Sequence, residues 1–342
     1  MNVASQRKPH PLGTHRVLEP PGAMPQNAAK LNNTPVAYEG ELLCDVDVLN
    51  IDSASFRQIA GVCGGDAARI AEHIAEIVRV HGKMHNPVTG SGGMFIGTIR
   101  ATGERIASLV SLTLTPLHID EVTRVCVDTG RVWVRGTAIL FASSLWAALP
   151  SDIDENVALA VLDVAGAPAQ TLRLCKEGQT IAIIGVDGKS GMLACAQAKA
   201  RVGTSGRVIG VAPSNQTLTA KLLIEHGYVD AFIVADARDA LGTSEALARI
   251  APELADVTIN CVNVPGTELS SILATKDRGT IYFFSMSTSF TAAALGAEGV
   301  GKDVTMIVGN GYARDHAQIA LQTLREHPHI HAHFKRTYAA RQ

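Results

Sequence analysis

The residues from 81 to 93 combine proton-carrying side chains with a run of small ones. The stretch HGKMHNPVTGSGG contains His81, Lys83 and His85, and the apolar residues 94–99 follow it. An imidazole titrates near pH 6.5, so a histidine is suited to taking and giving a proton in general acid–base catalysis. Glycines carry no side chain and let a bound molecule approach the backbone closely. We therefore interpret this stretch as part of a candidate active site.

A second stretch has the features of a dinucleotide-binding loop. IAIIGVDGKSGMLACAQAKA places Gly185, Gly188 and Gly191 between an apolar strand and a helix. Glycines permit a tight turn there and let backbone N–H groups approach a pyrophosphate, while the helix N-terminus adds partial positive charge. The spacing GxxGxxG is not the usual GxGxxG. It is therefore the strand–turn–helix context that favours a dinucleotide over an ordinary glycine-rich turn.

The strand after this helix bears on the choice between NAD and NADP. An acidic residue normally ends that strand when the ribose 2′-hydroxyl is to be bound. Here Ala212 occupies the position, and no acid appears between residues 207 and 221. Ser214 and Asn215 can hydrogen-bond a 2′-phosphate without repelling it. The sequence thus permits NADP and does not exclude NAD.

The two stretches lie in halves of the chain with different hydrophobic patterns. In the first half the pattern predicts one helix, at 66–80, and strands at 41–50, at 94–99 with an overlapping piece at 97–101, and at 122–127 and 131–140. In the second half it predicts helices at 190–201 and 216–226 between short apolar strands at 180–185, 207–212, 229–234, 257–262, 280–284 and 304–308. Apolar strands alternating with helices predict a parallel sheet that is covered on both faces.

Composition excludes several classes of protein. The 342 residues suffice for about two domains, and 46% of them are hydrophobic, so a large core is expected. A net charge of −2 argues against a nucleic-acid surface. No apolar run is long enough to span a membrane, and the N-terminus lacks the apolar segment of a secretory signal. The six cysteines form no CxxC pair, so we expect reduced thiols and a cytoplasmic protein.

Several segments resemble a known family. LNIDSASF, GKMHNPVTGSGGMFIGTI, ALAVLDVAGAPAQT, IIGVDGKSGMLA and FFSMSTSFTAAALGAEGVGKDV are similar to the L-erythro-3,5-diaminohexanoate dehydrogenase family, within the medium-chain dehydrogenase/reductase superfamily. The resemblance implies an α/β fold with a Rossmann doubly wound parallel sheet, at 161–309, and a β-rich GroES-like substrate domain, at 1–160 and 310–342. It also implies oxidative deamination of a diamino acid at C3, with NADP or NAD as cofactor and with release of ammonium.

The resemblance also implies chemistry without zinc. The alcohol dehydrogenases of this superfamily hold catalytic zinc with an early Cys, a His–Glu pair and a later Cys. This sequence has Asp52, the TGSGG stretch and Asp163 in the comparable places, and the four close cysteines of the structural zinc lobe are missing. A soft nitrogen and sulfur site cannot be built from these residues. We therefore expect no metal.

The implied reaction gives each polar side chain a role. An amine must be neutral before hydride leaves its carbon, and water then attacks the iminium, so both steps need a base. We expect His85 to be that base, and Lys83 to polarise the water or to bind the substrate carboxylate. Asp52 and Asp163 are expected to pair with the ammonium groups of the diamine. The residues expected to orient the substrate by hydrogen bonds are Ser53, Asn86 and Thr89.

Simpler interpretations stay open at this point. A loop histidine is often a surface residue, a lysine after a helix is often solvated, and an aspartate often caps a helix or turn. A zinc-free quinone or enoyl reductase that uses NADPH, or a protein that only senses NAD(P), would share the glycine loop. HPHIHAHF at 327–334 would place four histidines on one face of a strand, but without a carboxylate or cysteine we do not interpret it as a metal site.

The remaining expectations concern the cofactor and the assembly. The cofactor should meet the ends of the parallel strands. The residues expected to bind it are Gly185, Gly188, Lys189, Ser190, Gly191, Met192, Ser214, Asn215, Cys261, Val262, Ser285, Met286 and Ser287. A small diamino acid is the expected partner, and a symmetric homodimer is the expected assembly.

Overall fold

The chain forms two compact units. A computed structural model describes residues 9–309 and 311–339, except for the side chain of Ser53. The units are Met1–Ser151 and Asp152–Gln342. This division differs from the expected one, because residues 152–160 and the C-terminal segment from 310 belong to the second unit. Each unit is described by itself below.

The first unit is built on a six-stranded antiparallel sheet. Its elements are β1 (Val17–Glu19), β2 (Lys30–Leu31), β3 (Leu42–Asn50), α1 (Ser53–Val62), α2 (Ala67–His81), β4 (Met94–Ile99), β5 (Arg105–Ser108), β6 (Leu117–Cys126), β7 (Arg131–Leu140) and β8 (Trp146–Ala148). The strand order of the sheet is β6-β7-β3-β4-β5-β8, and β1 pairs with β2 separately. The pairs of neighbouring strands in the large sheet are all antiparallel.

Helix α2 leads directly into the polar stretch. Ile70, Ile74 and Val78 recur every fourth residue and form its buried face, which packs against β6. The carboxylate of Asp66 caps the first turn. The helix ends at Gly82, whose φ of 64° suits glycine, and whose N–H bonds to the carbonyl of Val78. His81 therefore lies in the last turn, and Lys83 and His85 follow within four residues.

The second unit has a six-stranded parallel sheet between helices. Its elements are α3 (Glu155–Leu162), α4 (Gly166–Leu174), β9 (Thr180–Ile184), α5 (Lys189–Val202), β10 (Arg207–Ala212), α6 (Leu218–Glu225), β11 (Ala231–Val234), α7 (Ala240–Ile250), β12 (Ala255–Asn260), α8 (Glu268–Ala274), β13 (Thr275–Phe283), α9 (Phe290–Gly299), β14 (Thr305–Val308), α10 (His316–Glu326) and α11 (Pro328–Tyr338). The strand order is β11-β10-β9-β12-β13-β14. Counted from β9, this is the order 3-2-1-4-5-6 of a Rossmann fold, so the expected fold class is confirmed.

The C-terminal segment packs within the second unit as two helices. Helix α10 packs on α3, α4 and α5, and α11 packs on α3 and α6. Leu324, Ile330 and Phe334 have no exposed surface. Burial of these side chains against the second unit is the physical reason that the segment does not join the first one.

The four histidines near the C-terminus belong to helix α11 and its cap, not to a strand. His329 stacks on His226 with ring centroids 3.6 Å apart, and the Nε2 of His333 lies 3.3 Å from the hydroxyl of Thr219. In a helix, residues two apart point in different directions, so the histidines do not share one face. In the described parts of the chain, no group of three or more His, Cys, Asp or Glu side chains is arranged to hold a metal ion.

Helices α3 and α4 are a largely buried pair of the second unit. The residues from Val157 to Leu162 in α3 are buried in the second unit, and α4 follows after a short turn. Within the described residues, no single helix is long and apolar enough to cross a membrane. These two pass such a test only when taken together, and they are bent by 51°.

Candidate active site

The glycines after the polar stretch make room for the protein's own backbone. A Cβ atom at Gly92 would lie 2.2 Å from the carbonyl oxygen of Met84, and one at Gly93 would lie 2.0 Å from that of Asn50. Gly93 also has a φ of 86°, which L-residues with side chains rarely adopt. These contacts fix the stretch against the end of β3. The glycines thus serve chain packing, a different role from the ligand approach that the sequence suggests.

His85 has the environment of a neutral base. Its side chain is partly buried, and its Nδ1 lies 2.5 Å from the hydroxyl oxygen of Thr113. Burial lowers the pKa of His85, and the positive charges of Lys83 and His81 lower it further. An imidazole with a lowered pKa is unprotonated near pH 7 and is able to accept a proton. The role of His85 as a base stays a prediction, and this environment is consistent with it.

Lys83 is engaged by backbone carbonyls. It has no exposed surface, and its Nζ donates hydrogen bonds to the carbonyls of Pro25, at 2.9 Å, and Gln26, at 3.3 Å. Burial lowers the pKa of Lys83 to about 8. The Nδ1 of His81 likewise donates to the carbonyl of Ala29, at 2.8 Å. Both side chains bind the loop between β1 and β2, so the position of Lys83 is explained without a substrate.

One carboxylate oxygen of Asp52 accepts a hydrogen bond, and the other has no hydrogen-bond partner among the described residues. Its Oδ1 caps α1 by accepting a hydrogen bond from the backbone N–H of Ser55, at 2.9 Å. Its Oδ2 is buried and has no hydrogen-bond partner among the described residues. A buried carboxylate oxygen without a donor costs free energy. This oxygen is therefore a candidate acceptor for an N–H group of a ligand.

The expected substrate-orienting residues near Asp52 are bonded within the protein. Asn86 is 1% exposed, and its Nδ2 donates to Gln58 at 2.9 Å while its Oδ1 accepts from the N–H of Val88 at 2.8 Å. The hydroxyl of Thr89 lies 2.5 Å from that of Ser55. These bonds hold the loop after α2 against α1. The expectation for the side chain of Ser53 falls outside the part of the chain that the structure describes.

The glycine loop of the second unit is shaped for close approach of a ligand. Gly185 has a φ of 87°, and a Cβ at Gly191 would lie 2.2 Å from the carbonyl of Gly185, so α5 packs directly on the loop. A Cβ at Gly188 would meet only one atom, at 3.9 Å. Gly188 is also the N-cap of α5, and no side chain of the described residues caps this helix. The N–H groups of the first turn are thus open to an anion.

The loops after β9 and β12 meet where the strand order reverses. A Cβ at Gly185 would lie 2.9 Å from a methyl group of Val262, and the N–H of Cys261 bonds to the carbonyl of Ile184. Ligands of doubly wound sheets bind at this switch point. The thiol of Cys261 is buried, and burial raises its pKa to about 12. Cys261 and the buried Met192 therefore contribute packing, without reactive side chains.

The loop after β13 is tied to its neighbours by hydrogen bonds. Ser285 accepts a bond from the N–H of Ser287 at 3.1 Å, and the hydroxyl of Ser287 bonds to Asn263 at 3.1 Å. Glu268 accepts a bond from the N–H of Ser289 at 2.7 Å. Met286, between the two serines, is 82% exposed. The structure thus adds Asn263 and Glu268, which sequence reasoning missed, as residues that hold this loop.

The strand that bears on cofactor choice ends as predicted. Strand β10 ends at Ala212, which is 2% exposed and paired with Val234. Ser214 accepts a bond from the N–H of Gln216 at 3.1 Å, and Asn215 accepts one from the side chain of Gln216 at 2.8 Å. The structure therefore agrees with the sequence that no acid stands at the end of this strand.

Asp163 lies beside the cofactor loop and has a cationic partner. It follows the last residue of α3, and its Oδ2 is 2.6 Å from the Nζ of Lys189, the first residue of α5. The same Nζ lies 5.8 Å from the ring centroid of Tyr338 in α11. The structure thus brings together Asp163, Lys189 and Gly188. In this arrangement Asp163 pairs with the ammonium of Lys189, and its pairing with an ammonium of the substrate stays a prediction.

Comparison with known proteins agrees with these features. An L-erythro-3,5-diaminohexanoate dehydrogenase of Acetoanaerobium sticklandii is 53% identical over 95% of this chain and 98% of its own. One of Fusobacterium nucleatum is 50% identical over 95% of this chain and 98% of its own. The chain belongs to the L-erythro-3,5-diaminohexanoate dehydrogenase family. The sequence resemblance is thereby confirmed.

Family and structure comparisons bear on the first unit and on the fold. A model of the L-erythro-3,5-diaminohexanoate dehydrogenase N-terminal domain matches residues 15–150, nearly the whole first unit. A mycobacterial quinone oxidoreductase is similar in fold, with a TM-score of 0.53 and 15% identity over 89% of this chain and 91% of its own. A mycobacterial structure solved with NADPH has a TM-score of 0.50 and 14% identity over 88% and 81% of the two chains. At these identities the likeness shows the fold alone.

One polar residue of this dehydrogenase family member escapes sequence reasoning. Thr113, the partner of His85, lies 28 residues after it in the stretch SLTLTPL. That stretch alternates hydroxyl and apolar side chains, a pattern typical of a strand with one polar face. The pattern therefore signals a solvent-facing residue, whereas Thr113 is 3% exposed.

Proposed function

We propose that this protein oxidatively deaminates L-erythro-3,5-diaminohexanoate to 5-amino-3-oxohexanoate, with reduction of NADP or NAD and release of ammonium. The observation that carries the proposal is the 53% identity, over nearly the full length of both chains, to a dehydrogenase named for this substrate. Similarity over the full length includes both the acid–base stretch and the cofactor loop. The Rossmann strand order and the open glycine loop support the use of a dinucleotide.

The first unit supplies the groups for proton transfer in this proposal. The C3 amine must lose a proton before its carbon loses hydride, and neutral His85 accepts that proton. His85 passes that proton to solvent and is neutral again. Water then adds to the iminium carbon, and His85 takes a proton from the attacking water and gives it to the amine nitrogen. The carbon–nitrogen bond breaks as ammonia leaves, the remaining hydroxyl proton converts the ammonia to ammonium, and the ketone remains. A bound nicotinamide would supply the acceptor for the hydride.

Asp52 binds the second ammonium group of the substrate in this proposal. Its Oδ2 is buried and has no donor among the described residues, and an alkylammonium provides a charged donor for it. Neighbouring atoms cover this oxygen, so the substrate reaches it by displacing them. Asp52→Asn keeps the cap on α1, because asparagine caps helices as well as aspartate does. We expect it to raise KM for the diamine about 10-fold or more, with an unchanged Kd for the cofactor.

The second unit supplies the cofactor site. The first-turn N–H groups of α5, from Lys189 to Gly191, would bind the pyrophosphate, and the ammonium of Lys189 adds a charge beside them. Ser214 and Asn215, at the end of β10, would face the ribose and its 2′ substituent. The loops after β12 and β13 would lie beside the nicotinamide ring. Without an acid after β10, NADP is expected to bind at least as well as NAD.

Absorbance of the reduced nicotinamide tests the proposal. The purified protein is given L-erythro-3,5-diaminohexanoate with NADP or NAD, and ammonium is measured in parallel. We expect one ammonium for each reduced nicotinamide. Reduction of a quinone by NADPH, with no turnover of the diamine, would instead assign the activity of a quinone reductase.

We also propose a cytoplasmic homodimer. Among the described residues β14 pairs on one side only, with β13, and it exposes Thr305 and Val308 at the edge of the sheet. A free edge strand is able to pair with its copy in a second chain about a two-fold axis. All six cysteines are unpaired, as in a reducing compartment. Sedimentation equilibrium should give twice the mass of the chain, and the mass of one chain would contradict the dimer.

A further inference from the structure

Backbone hydrogen bonds on both sides of Thr113 fix the side chain that bonds to His85. Thr113 lies in the segment between β5 and β6. On one side of it, the N–H of Leu112 bonds to the carbonyl of Gly93 at 2.8 Å. On the other side, the N–H of Leu117 bonds to the carbonyl of Gly82 at 2.9 Å. Because Gly82 and Gly93 bracket His85 in the sequence, the hydroxyl of Thr113 has a fixed position relative to the imidazole.

The chemistry of a hydroxyl suits a base that changes its protonation state. A hydroxyl oxygen accepts a hydrogen bond from the Nδ1–H of a neutral imidazole and equally from that of an imidazolium, which leaves Nε2 bare in the neutral form. The bond between Thr113 and His85, at 2.5 Å, therefore persists through a cycle in which Nε2 gains and loses a proton. A carboxylate at the same place would favour the imidazolium and would hold the ring in its charged form. The ionisable groups whose charges act on His85 are Lys83 and His81, both basic.

We propose that Thr113 is a positioning residue for this reaction, which holds His85 through Nδ1 so that Nε2 exchanges the proton with substrate and water. The proposal rests on the proposed function, because it gives His85 the role of base. Thr113 acts through His85 and does not itself touch the substrate. It therefore affects the rate of proton transfer and the pH at which His85 titrates.

Substitutions at Thr113 and at a matched control separate this role from packing. Thr113→Val removes the hydroxyl at similar volume, and Thr113→Ser keeps it. Thr115→Val is the control, because Thr115 is 2% exposed in the same segment and its hydroxyl bonds to the carbonyl of Ser111. The measurements are kcat, KM for diamine and cofactor, the pH profile of kcat/KM, and Tm.

We expect Thr113→Val to lower kcat about 10- to 100-fold, as losses of a partner that orients a functional histidine commonly do. Both KM values should stay within about threefold. The acid limb of the pH profile should move to lower pH, because the imidazolium loses an acceptor for Nδ1–H. Thr113→Ser should restore the rate and the profile. Thr115→Val should lower Tm by about as much as Thr113→Val does, and it should leave kcat and the pH profile unchanged.

Two results would overturn the proposal. One is a folded Thr113→Val enzyme with the kcat and pH profile of the wild type. The other is an equal loss of kcat in Thr115→Val, which would mean that the segment is only structural. If Thr113→Val does not fold, Thr113→Ala removes the same hydroxyl without adding a methyl group, and the same two results apply to it. A wild-type enzyme that does not turn over the diamine would instead refute the proposed function.

Discussion

Replacing Lys189 tests whether a charge beside the glycine loop binds the cofactor. Lys189→Met removes the ammonium and keeps most of the side-chain length. A charge-assisted hydrogen bond contributes about 1.5–3 kcal/mol when it is shielded from water. The side chain of Lys189 is 26% exposed, so solvent screens part of this. We expect a loss of about 1–2 kcal/mol, or roughly 5- to 30-fold in the Kd of NADPH.

The chain offers a matched control on the same helix. Lys199 also lies in α5, and its Nζ is 2.5 Å from Asp230, with side chains 31% and 33% exposed. Its pair thus resembles that of Lys189 and Asp163 in length and exposure, but it lies ten residues further from the glycine loop. Lys199→Met should change the free energy of unfolding by the same small amount as Lys189→Met. It should leave the Kd of NADPH unchanged.

Fluorescence titration of NADPH, at low and at high salt, measures these effects. The loss of NADPH affinity in Lys189→Met should be smaller at high salt, because salt screens the exposed charge of Lys189 in the wild type. Asp163→Asn should raise the Kd of NADPH by only about two- to threefold. Lys189 keeps its charge in this variant but loses the carboxylate that orients its side chain. Equal Kd values for Lys189→Met and Lys199→Met would refute the reasoning. A 100-fold loss of kcat in Asp163→Asn, with normal cofactor binding, would show that Asp163 has a role in catalysis.

Three further predictions concern the cofactor, the base and the buried lysine. Ala212→Asp should shift preference toward NAD by roughly 1–3 kcal/mol, by repelling a 2′-phosphate and binding the ribose; Kd values for NAD and NADP check this. His85→Ala should lower kcat about 10²- to 10⁴-fold with an unchanged Kd for NADPH, and a folded variant with normal kcat would exclude His85 as the base. The pKa of Lys83 is about 8 when folded and 10.5 in its ordinary state, so the folded state binds fewer protons between these values. Stability should therefore rise between pH 8 and 10.5, by up to about 3 kcal/mol, and denaturant titrations should show this rise flattened in Lys83→Met.

Local patterns account for the elements that could be predicted. Residues 94–99 form β4 as expected, and Ile70, Ile74 and Val78 mark the buried face of α2. The order of strand, glycine loop and helix at 180–202 is likewise visible in the sequence. Each of these signals lies within one element, or within two neighbouring elements and the loop between them, where periodicity and glycine positions are informative.

Tertiary packing decides the parts that could not be predicted. Helix α11 could not be predicted because histidines alternate with apolar residues in its sequence, which is the pattern of a strand. In the structure, Ile330 and Phe334 are four residues apart and lie on one buried helix face. The short helix α1 carries glycine and serine, which weaken its helical pattern. The bond between Thr113 and His85 joins residues 28 apart, and no periodic signal reports such a contact. The two acceptors of Lys83 are backbone carbonyls, which have no signature in the side chains.

Those carbonyls have a consequence for how the loop between β1 and β2 can evolve. The loop is bound to the stretch at 81–93 through the main-chain oxygens of Pro25, Gln26 and Ala29. Every amino acid carries such an oxygen, so exchanges of side chains leave these acceptors in place. An insertion or a deletion would instead move all of them relative to Lys83 and His81. Diverging relatives should therefore vary the residues of this loop freely while keeping its length, and an alignment of many such sequences should show substitutions there without gaps.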